Sequence, residues 1–106
     1  MPEELKNKLQ PKIPIPVYKI ATLCQRYQVR EMALFGSVLR DDFRPDSDVD
    51  ILIEFVPDAY VTFIILGRIQ QELSDLFERP VDLILRDGLK PTIRQDILSN
   101  SEVIYA

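Results

Sequence analysis

Two short motifs constrain the fold of this chain more than any other part of its sequence. A Gly36-Ser37 pair directly follows the apolar run at residues 32–35, and after ten intervening residues Asp48-Val49-Asp50 leads into a second apolar run. We interpret both runs as β-strands, so the first motif ends one strand and the second motif begins the next. The two motifs can then meet only if these strands run antiparallel.

A third apolar run, residues 81–85, carries a carboxylate at Asp82. The amphipathic stretch before it predicts a helix over 61–78, which supplies the crossover that parallel neighbouring strands need. We therefore predict an α/β protein of the α+β kind, with a mixed sheet (strands 1 and 2 antiparallel, 2 and 3 parallel) and helices packed on it. The remaining predicted elements are a helix over 16–28, strands over 29–35 and 48–55, a turn capped by Ser37 over 38–40, a loop over 41–47, a helix over 91–98 and an edge strand over 101–105.

The length of 106 residues is enough for one modest hydrophobic core, so we assign residues 13–106 to a single domain. Residues 1–12 are polar and charged without a hydrophobic period, and we expect them to form a flexible lead-in.

Residue usage excludes several kinds of chemistry. The chain has no histidine, which removes Ser-His-Asp triads and histidine-ligated metals. Its single cysteine, Cys24, excludes an internal disulfide and a zinc site of several thiolates, and its place on an apolar stripe predicts a core residue. Any bound metal must therefore be held by oxygen ligands, which favours Mg²⁺, Mn²⁺ or Ca²⁺.

The net charge and the hydropathy of the chain indicate whether nucleic acid or a membrane is a partner. The net charge of −4 and pI of about 4.8 disfavour nucleic acid as the main partner, because such proteins normally present a basic face. No apolar run approaches the ~20 residues of a membrane span, and the first residues lack a signal-peptide pattern. We expect a cytoplasmic protein without a membrane partner.

Carboxylates at these positions suit a metal–nucleotide site. Asp48 and Asp50 are two residues apart on a strand and project to one face, where Asp82 of the neighbouring strand can join them. Three converging carboxylates repel one another unless cations neutralise them, and two Mg²⁺ ions do so. Gly36 lets a triphosphate approach the backbone closely, while Ser37 offers a hydroxyl and an amide hydrogen.

Each part of this site has an alternative interpretation. A Gly-Ser pair alone is usually a turn, and a lone Asp-x-Asp is usually a solvated strand end. Asp82 is either a third ligand or an exposed acid at the strand start, and its place in an apolar run favours the ligand because burying an acid is costly. Arg40 and Arg44 are either triphosphate contacts or solvated side chains. The apolar residues Phe63, Ile64 and Leu66 form either a partner-binding face or part of the core.

The Gly-Ser pair, the Asp-x-Asp pair and the acidic third strand together resemble the DNA polymerase beta nucleotidyltransferase superfamily. The short chain is similar to the minimal nucleotidyltransferases of that superfamily over roughly residues 14–105. The resemblance implies the nucleotidyltransferase fold, ATP as substrate and two Mg²⁺ ions. The roles it implies are phosphate contacts at Gly36 and Ser37, and metal binding and catalysis at Asp48, Asp50 and Asp82, with Asp82 helping to activate the attacking hydroxyl.

Two neighbouring positions also fit the family pattern. Arg40 matches an arginine common after the Gly-Ser pair, and Ser47 matches the residue before the Asp pair, so both are implied to bind the nucleotide. The family often has glycine where this chain has Asp41.

Many minimal nucleotidyltransferases are antitoxins paired with a HEPN-domain ribonuclease. The resemblance therefore implies neutralisation of a HEPN toxin by transfer of AMP from ATP to a tyrosine of the toxin. Two alternatives stay open at this point. One is an antitoxin that acts by binding without catalysis, and the other is a nucleotidyltransferase for a small molecule or an RNA end that works with a separate acceptor-binding subunit.

Overall fold

The computed structural model describes residues 13–41 and 43–106, so the predicted lead-in at residues 1–12 lies outside the described part of the chain. The elements are α1 (Val17–Arg26), β1 (Val29–Phe35), a 3₁₀ turn (Gly36–Leu39), β2 (Val49–Phe55), α2 (Phe63–Phe77), β3 (Val81–Leu85), a second 3₁₀ turn (Arg86–Gly88), α3 (Pro91–Ser99) and β4 (Glu102–Tyr105). The four strands of this described part form one sheet in the order β3-β2-β1-β4.

The strand directions confirm the predicted mixed sheet. Strand β1 pairs antiparallel with β2, and β2 pairs parallel with β3 across the crossover helix α2. The predicted edge strand is β4, which pairs antiparallel with β1 on the other side. Strand β3 therefore lies at one edge of the sheet.

Local sequence sets the ends of the helices. Thr62 caps α2, because its hydroxyl oxygen accepts a hydrogen bond from the amide of Ile65 at 3.2 Å, and the helix ends where Glu78 adopts a left-handed conformation. Gln28 also has a positive φ of 60°, so α1 ends before the predicted residue 28. Pro91 begins α3, where its missing amide hydrogen costs nothing.

The two faces of the sheet bury different cores. One face packs against α1 and α2 and holds the larger core, which includes Ile20, Leu34, Ile51, Ile53, Ile69 and Leu73. Cys24 is part of this core, as predicted, and burial raises the pKa of its thiol to about 12. The opposite face carries a smaller cluster of Ala33, Leu52 and Leu89, with residues of α3 packed against it. Because side chains alternate along a strand, Asp50 shares this second face with Leu52.

The described residues contain no helix that is both long enough and apolar enough to cross a membrane. The longest helix, α2, has 15 residues.

Candidate active site

Strand register brings the predicted carboxylates together. Asp50 lies opposite Phe35 of β1 on one side and opposite Asp82 of β3 on the other. Asp48 immediately precedes β2 and is two residues from Asp50, which places both on the same face. Asp48 and Asp82 are exposed and Asp50 is partly buried between the neighbouring strands. The three acids therefore lie at one end of β2 and β3, on the face that carries the smaller core.

Gly36 lies directly against the central carboxylate. Its φ is +78°, a conformation that L-residues with a side chain rarely adopt. A Cβ atom at this position would overlap Asp50 Oδ2 and lie 3.3 Å from Asp50 Cγ. The Gly-Ser turn and the Asp-x-Asp motif are thus in contact, and any other residue at position 36 would require the Asp50 carboxylate to move.

The pKa of the Asp50 carboxyl shows how strongly the acids interact. Burial raises this pKa most, and the charges of Asp82 and then Asp48 raise it further. The charge of Arg40 acts in the opposite direction and lowers it. Three of the predicted site residues, Asp48, Asp82 and Arg40, therefore lie within electrostatic reach of Asp50.

The donor set fits a hard divalent cation. Asp48, Asp50 and Asp82 present carboxylate oxygens, the ligands that Mg²⁺ prefers, and their mutual repulsion is relieved when a cation binds. As the side chains of residues 13–41 and 43–106 stand, no three acidic or cysteine groups already form a metal cage. Asp48 and Asp82 are exposed, so a cation bound here would draw their side chains towards Asp50.

The raised pKa of Asp50 predicts a pH-dependent effect of Asp50→Asn. Ionised Asp50 is less favourable in the folded chain than in the unfolded chain, so wild type loses stability as pH rises through the raised pKa. Below the ordinary pKa of aspartate the carboxyl is protonated in both states and the penalty is absent. We expect Asp50→Asn to have a higher free energy of unfolding than wild type at neutral pH and the same free energy of unfolding at low pH. Urea unfolding in EDTA measures this difference.

Binding of Mg²⁺ to the three acids would reverse this order of stability, because the ion would stabilise the wild-type carboxylates and find fewer ligands in the variant. Asp58→Asn, which changes an exposed acid after β2, is the matched control. A stability difference between Asp50→Asn and wild type that does not change with pH would contradict the assignment.

Two interpretations of site residues need correction. Asp82 is exposed at the start of β3, so the argument from the cost of burying an acid was wrong. The strand register sets it opposite Asp50, and its role as a ligand stays a prediction. Ser37 does not cap the 3₁₀ turn, because that turn begins at Gly36 and receives no side-chain cap. Ser37 is the second residue of the turn, and its carbonyl accepts a hydrogen bond from the amide of Arg40 at 2.9 Å.

Ser47 closes the turn that precedes Asp48. Its hydroxyl accepts a hydrogen bond from the amide of Arg44 at 3.0 Å, and its own amide donates to the Arg44 carbonyl at 3.0 Å. These two bonds fix the direction in which the chain enters β2. Ser47 therefore positions Asp48, and any contact with a nucleotide is additional to that role.

Sequence reasoning missed Arg79. Its guanidinium lies 4.8 Å from the centroid of the Phe43 ring and donates to the Arg44 carbonyl at 3.4 Å. The available signal was its place just before Pro80 and the third strand, since that strand was predicted to lie beside the Asp-x-Asp motif.

The sequence also left open whether the apolar residues at the start of α2 are buried or exposed. Phe63 is 93% exposed and Ile64 is 70% exposed, so burial within this domain is wrong for both. Leu66 is partly buried.

Comparison with known proteins agrees with this geometry. The protein family described as the nucleotidyltransferase domain matches residues 18–104. The protein adenylyltransferase MntA of Thermococcus cleftensis is 38% identical over 85 residues, which cover 78% of this chain and 80% of that protein. A putative protein adenylyltransferase of Methanocaldococcus jannaschii is 37% identical over 86 residues, covering 78% of this chain and 82% of the relative.

Solved structures share the fold. A putative minimal nucleotidyltransferase superposes with a TM-score of 0.67 at 30% identity, over 80% of this chain and 85% of the other. A toxin–antitoxin crystal structure with AMP-PNP gives a TM-score of 0.69 at 19% identity, over 87% and 74% of the two chains. A chain from the complex of the tri-AMPylated Shewanella oneidensis HEPN toxin with MNT antitoxin superposes with a TM-score of 0.62 at 20% identity. The match covers 85% of this chain and 69% of the other.

The family match covers most of the chain, and the first two relatives align over about four-fifths of their own lengths. The resemblance noted in the sequence is thereby confirmed. This chain belongs to the nucleotidyltransferase domain family, and within it to the minimal nucleotidyltransferases.

Proposed function

We propose that this protein is a Mg²⁺-dependent protein adenylyltransferase that transfers AMP from ATP to a tyrosine of a HEPN ribonuclease toxin in the cytoplasm, and so acts as its antitoxin. The observation that carries the proposal is the strand register that sets Asp50 beside both Gly36 and Asp82. This arrangement sets a turn that suits phosphate next to acids that suit Mg²⁺, and nucleotidyl transfer requires both kinds of group.

The residues divide the chemistry among them. Asp48, Asp50 and Asp82 would hold two Mg²⁺ ions, which when bound neutralise phosphate charge at the reacting centre. Gly36 brings the backbone close to the phosphates, and Ser37 offers its amide and hydroxyl to them. Asp82 would accept the proton of the tyrosine hydroxyl. The hydroxyl oxygen then bonds to the α-phosphorus, and the bond from that phosphorus to the β-phosphate oxygen breaks, releasing pyrophosphate.

The position of Asp82 suits a protein acceptor. Asp82 is exposed and β3 is one of the two edge strands that the described residues form, so this side of the site is open to an approaching side chain. The relatives support the same substrate class, because one is named a protein adenylyltransferase and one structural neighbour is a complex with an AMPylated HEPN toxin.

Intact-mass spectrometry of a HEPN ribonuclease encoded beside this chain and co-expressed with it tests the proposal. We expect the mass of that protein to rise in AMP-sized steps, and fragmentation to locate the added groups on tyrosine. Substituting the modified tyrosine by phenylalanine should remove the increase and restore ribonuclease activity in the presence of this chain.

Other outcomes separate the alternatives. A silenced toxin in a stable complex without added mass would favour neutralisation by binding alone. Transfer of label from ATP to RNA or to a small molecule, with none on the protein, would favour the third interpretation. Either result would overturn protein adenylylation.

A further inference from the structure

The chain turns sharply between α2 and the strand that carries Asp82. Helix α2 ends at Phe77 and β3 begins at Val81, so a short connection joins them. Glu78 makes the turn in a left-handed conformation, with φ of 56° and ψ of 38°. A residue with a side chain rarely adopts this conformation, so neighbouring contacts must hold it. Because Asp82 is the second residue of β3, the direction of this turn affects its position.

Ser74 contacts the chain on both sides of the turn. Its carbonyl accepts hydrogen bonds from the amide of Glu78 and, at 3.2 Å, from the amide of Arg79. Its hydroxyl oxygen accepts another hydrogen bond, at 3.1 Å, from the amide of Val81. Ser74 therefore stabilises the end of the helix, the turn and the start of the strand together.

The hydrogen bond to Val81 lies at the open edge of the sheet that residues 13–41 and 43–106 form. The amide of Val49 donates to the Pro80 carbonyl at 3.0 Å, and Val49 lies opposite Val81 in the parallel ladder. Alternate residues of such a ladder direct their backbone groups to the neighbouring strand, so Pro80 and Asp82 face β2 and Val81 faces away. Since β3 is an edge strand, Ser74 takes the place of a strand partner for the Val81 amide.

The start of β3 is thus held from two directions. Asp82 pairs with β2 on one side, and Val81 is bound to α2 through Ser74 on the other. The Val81 side chain is buried in the larger core, and the exposed Asp82 side chain points to the opposite face of the sheet. A shift or rotation of this strand end would therefore move the Asp82 carboxylate relative to Asp50, which lies opposite it.

We propose that Ser74 is a positioning residue for AMP transfer, because its hydroxyl holds the start of β3 and thereby sets Asp82 beside Asp50. Ser74 acts through the backbone of Val81 and takes no part in the chemistry itself. The inference rests on the proposed function for the role of Asp82, whereas the hydrogen bond does not depend on the reaction. A displaced proton acceptor slows the chemical step more than it weakens ATP binding, since proton transfer requires hydrogen-bond reach to the attacking hydroxyl.

Substitutions at position 74 test this role in the transfer reaction. Ser74→Ala removes the acceptor, whereas Ser74→Thr keeps a hydroxyl oxygen. We expect Ser74→Ala to lower kcat for AMP transfer to the HEPN toxin by about tenfold with the KM for ATP unchanged, and Ser74→Thr to retain the wild-type kcat. Ser99→Ala is the matched control, because the Ser99 hydroxyl accepts a hydrogen bond from the exposed Gln95 side chain of α3, and its kcat should equal that of wild type.

Hydrogen exchange of the Val81 amide, followed by NMR, reports the hydrogen bond without the transfer reaction. The central amides of β1 serve as the reference for global unfolding. Relative to that reference, we expect the Val81 amide to exchange about tenfold faster in Ser74→Ala than in wild type or Ser74→Thr. If Ser74→Ala does not fold, Ser74→Cys gives the same test, because a thiol has a similar size and is a weak acceptor.

The contrary outcomes differ for the two proposals. Unchanged exchange of the Val81 amide would show that the hydroxyl does not hold the strand, and faster exchange with a wild-type kcat would show that Asp82 does not depend on it. A loss of kcat that Ser74→Thr shares, or an equal rise in the KM for ATP, would also overturn the positioning role. Failure of wild type to modify the HEPN toxin would overturn the proposed function, and the catalytic role of Ser74 with it.

Discussion

Replacing Asp48 and Asp50 together by asparagine is expected to lower AMP transfer by at least about 100-fold while leaving the fold intact. The substitution removes two of three carboxylates that lie on one face at the ends of β2 and β3. Asparagine keeps the size and an oxygen of each side chain, so packing is preserved while the negative charge of the proposed Mg²⁺ site is lost. The measurement is the transfer of labelled AMP from ATP to the HEPN partner at saturating Mg²⁺.

Asp58→Asn with Asp87→Asn is the matched control. Both acids are exposed and lie in turns at the opposite ends of β2 and β3 from the carboxylate site, and the same net charge is removed. We expect this control to transfer AMP at the wild-type rate. Comparable transfer by the site variant, with circular dichroism showing a folded protein, would refute the assignment of the two acids.

Gly36→Ala is expected to lower AMP transfer by about 100-fold or more, although it adds a single methyl group. The new Cβ would overlap Asp50 Oδ2 and meet its Cγ at 3.3 Å, so the central carboxylate must move. The backbone at this position also has a φ of +78°, which costs a residue with a side chain about 1–2 kcal/mol. We therefore expect a moderate loss of stability, by urea unfolding, together with the large loss of activity.

The same glycine-to-alanine change at position 67 is expected to have the opposite effect on stability and no effect on AMP transfer. Gly67 lies inside α2, and a Cβ there has no atom within 4 Å. Alanine should stabilise the helix by about 0.5–1 kcal/mol and leave transfer unchanged. If Gly36→Ala retains activity close to that of Gly67→Ala, the close contact between the glycine turn and Asp50 is not needed for catalysis.

The elements of this fold follow closely from local pattern. Strands β1 and β3 begin and end at the predicted residues, and the helices differ from prediction by one or two residues at their ends. These boundaries are readable because apolar periodicity and the placement of proline act within a few residues along the chain. The antiparallel and parallel pairings were also predictable, since the polar motifs could meet in no other way.

The exposure of individual side chains and the identity of their contact partners were harder to predict from the sequence. Asp82 looked like a buried acid because its neighbours in sequence are apolar, but it lies at the exposed start of an edge strand. Phe63 and Ile64 could have been core residues, yet both face solvent. Position in the sheet decides such cases, and a single strand or helix does not contain that information.

The sequence by itself determined the kinds of groups available for chemistry: oxygen ligands without histidine, a Gly-Ser turn, and acids at the starts of two strands. It also determined the order and type of the secondary elements. The tertiary structure alone decided that Gly36 touches Asp50, that Asp82 pairs with Asp50, and that Arg79 stacks on Phe43 beside the turn before Asp48. These contacts join residues 14 to 36 positions apart, and their geometry depends on strand register and packing, which local sequence patterns do not specify.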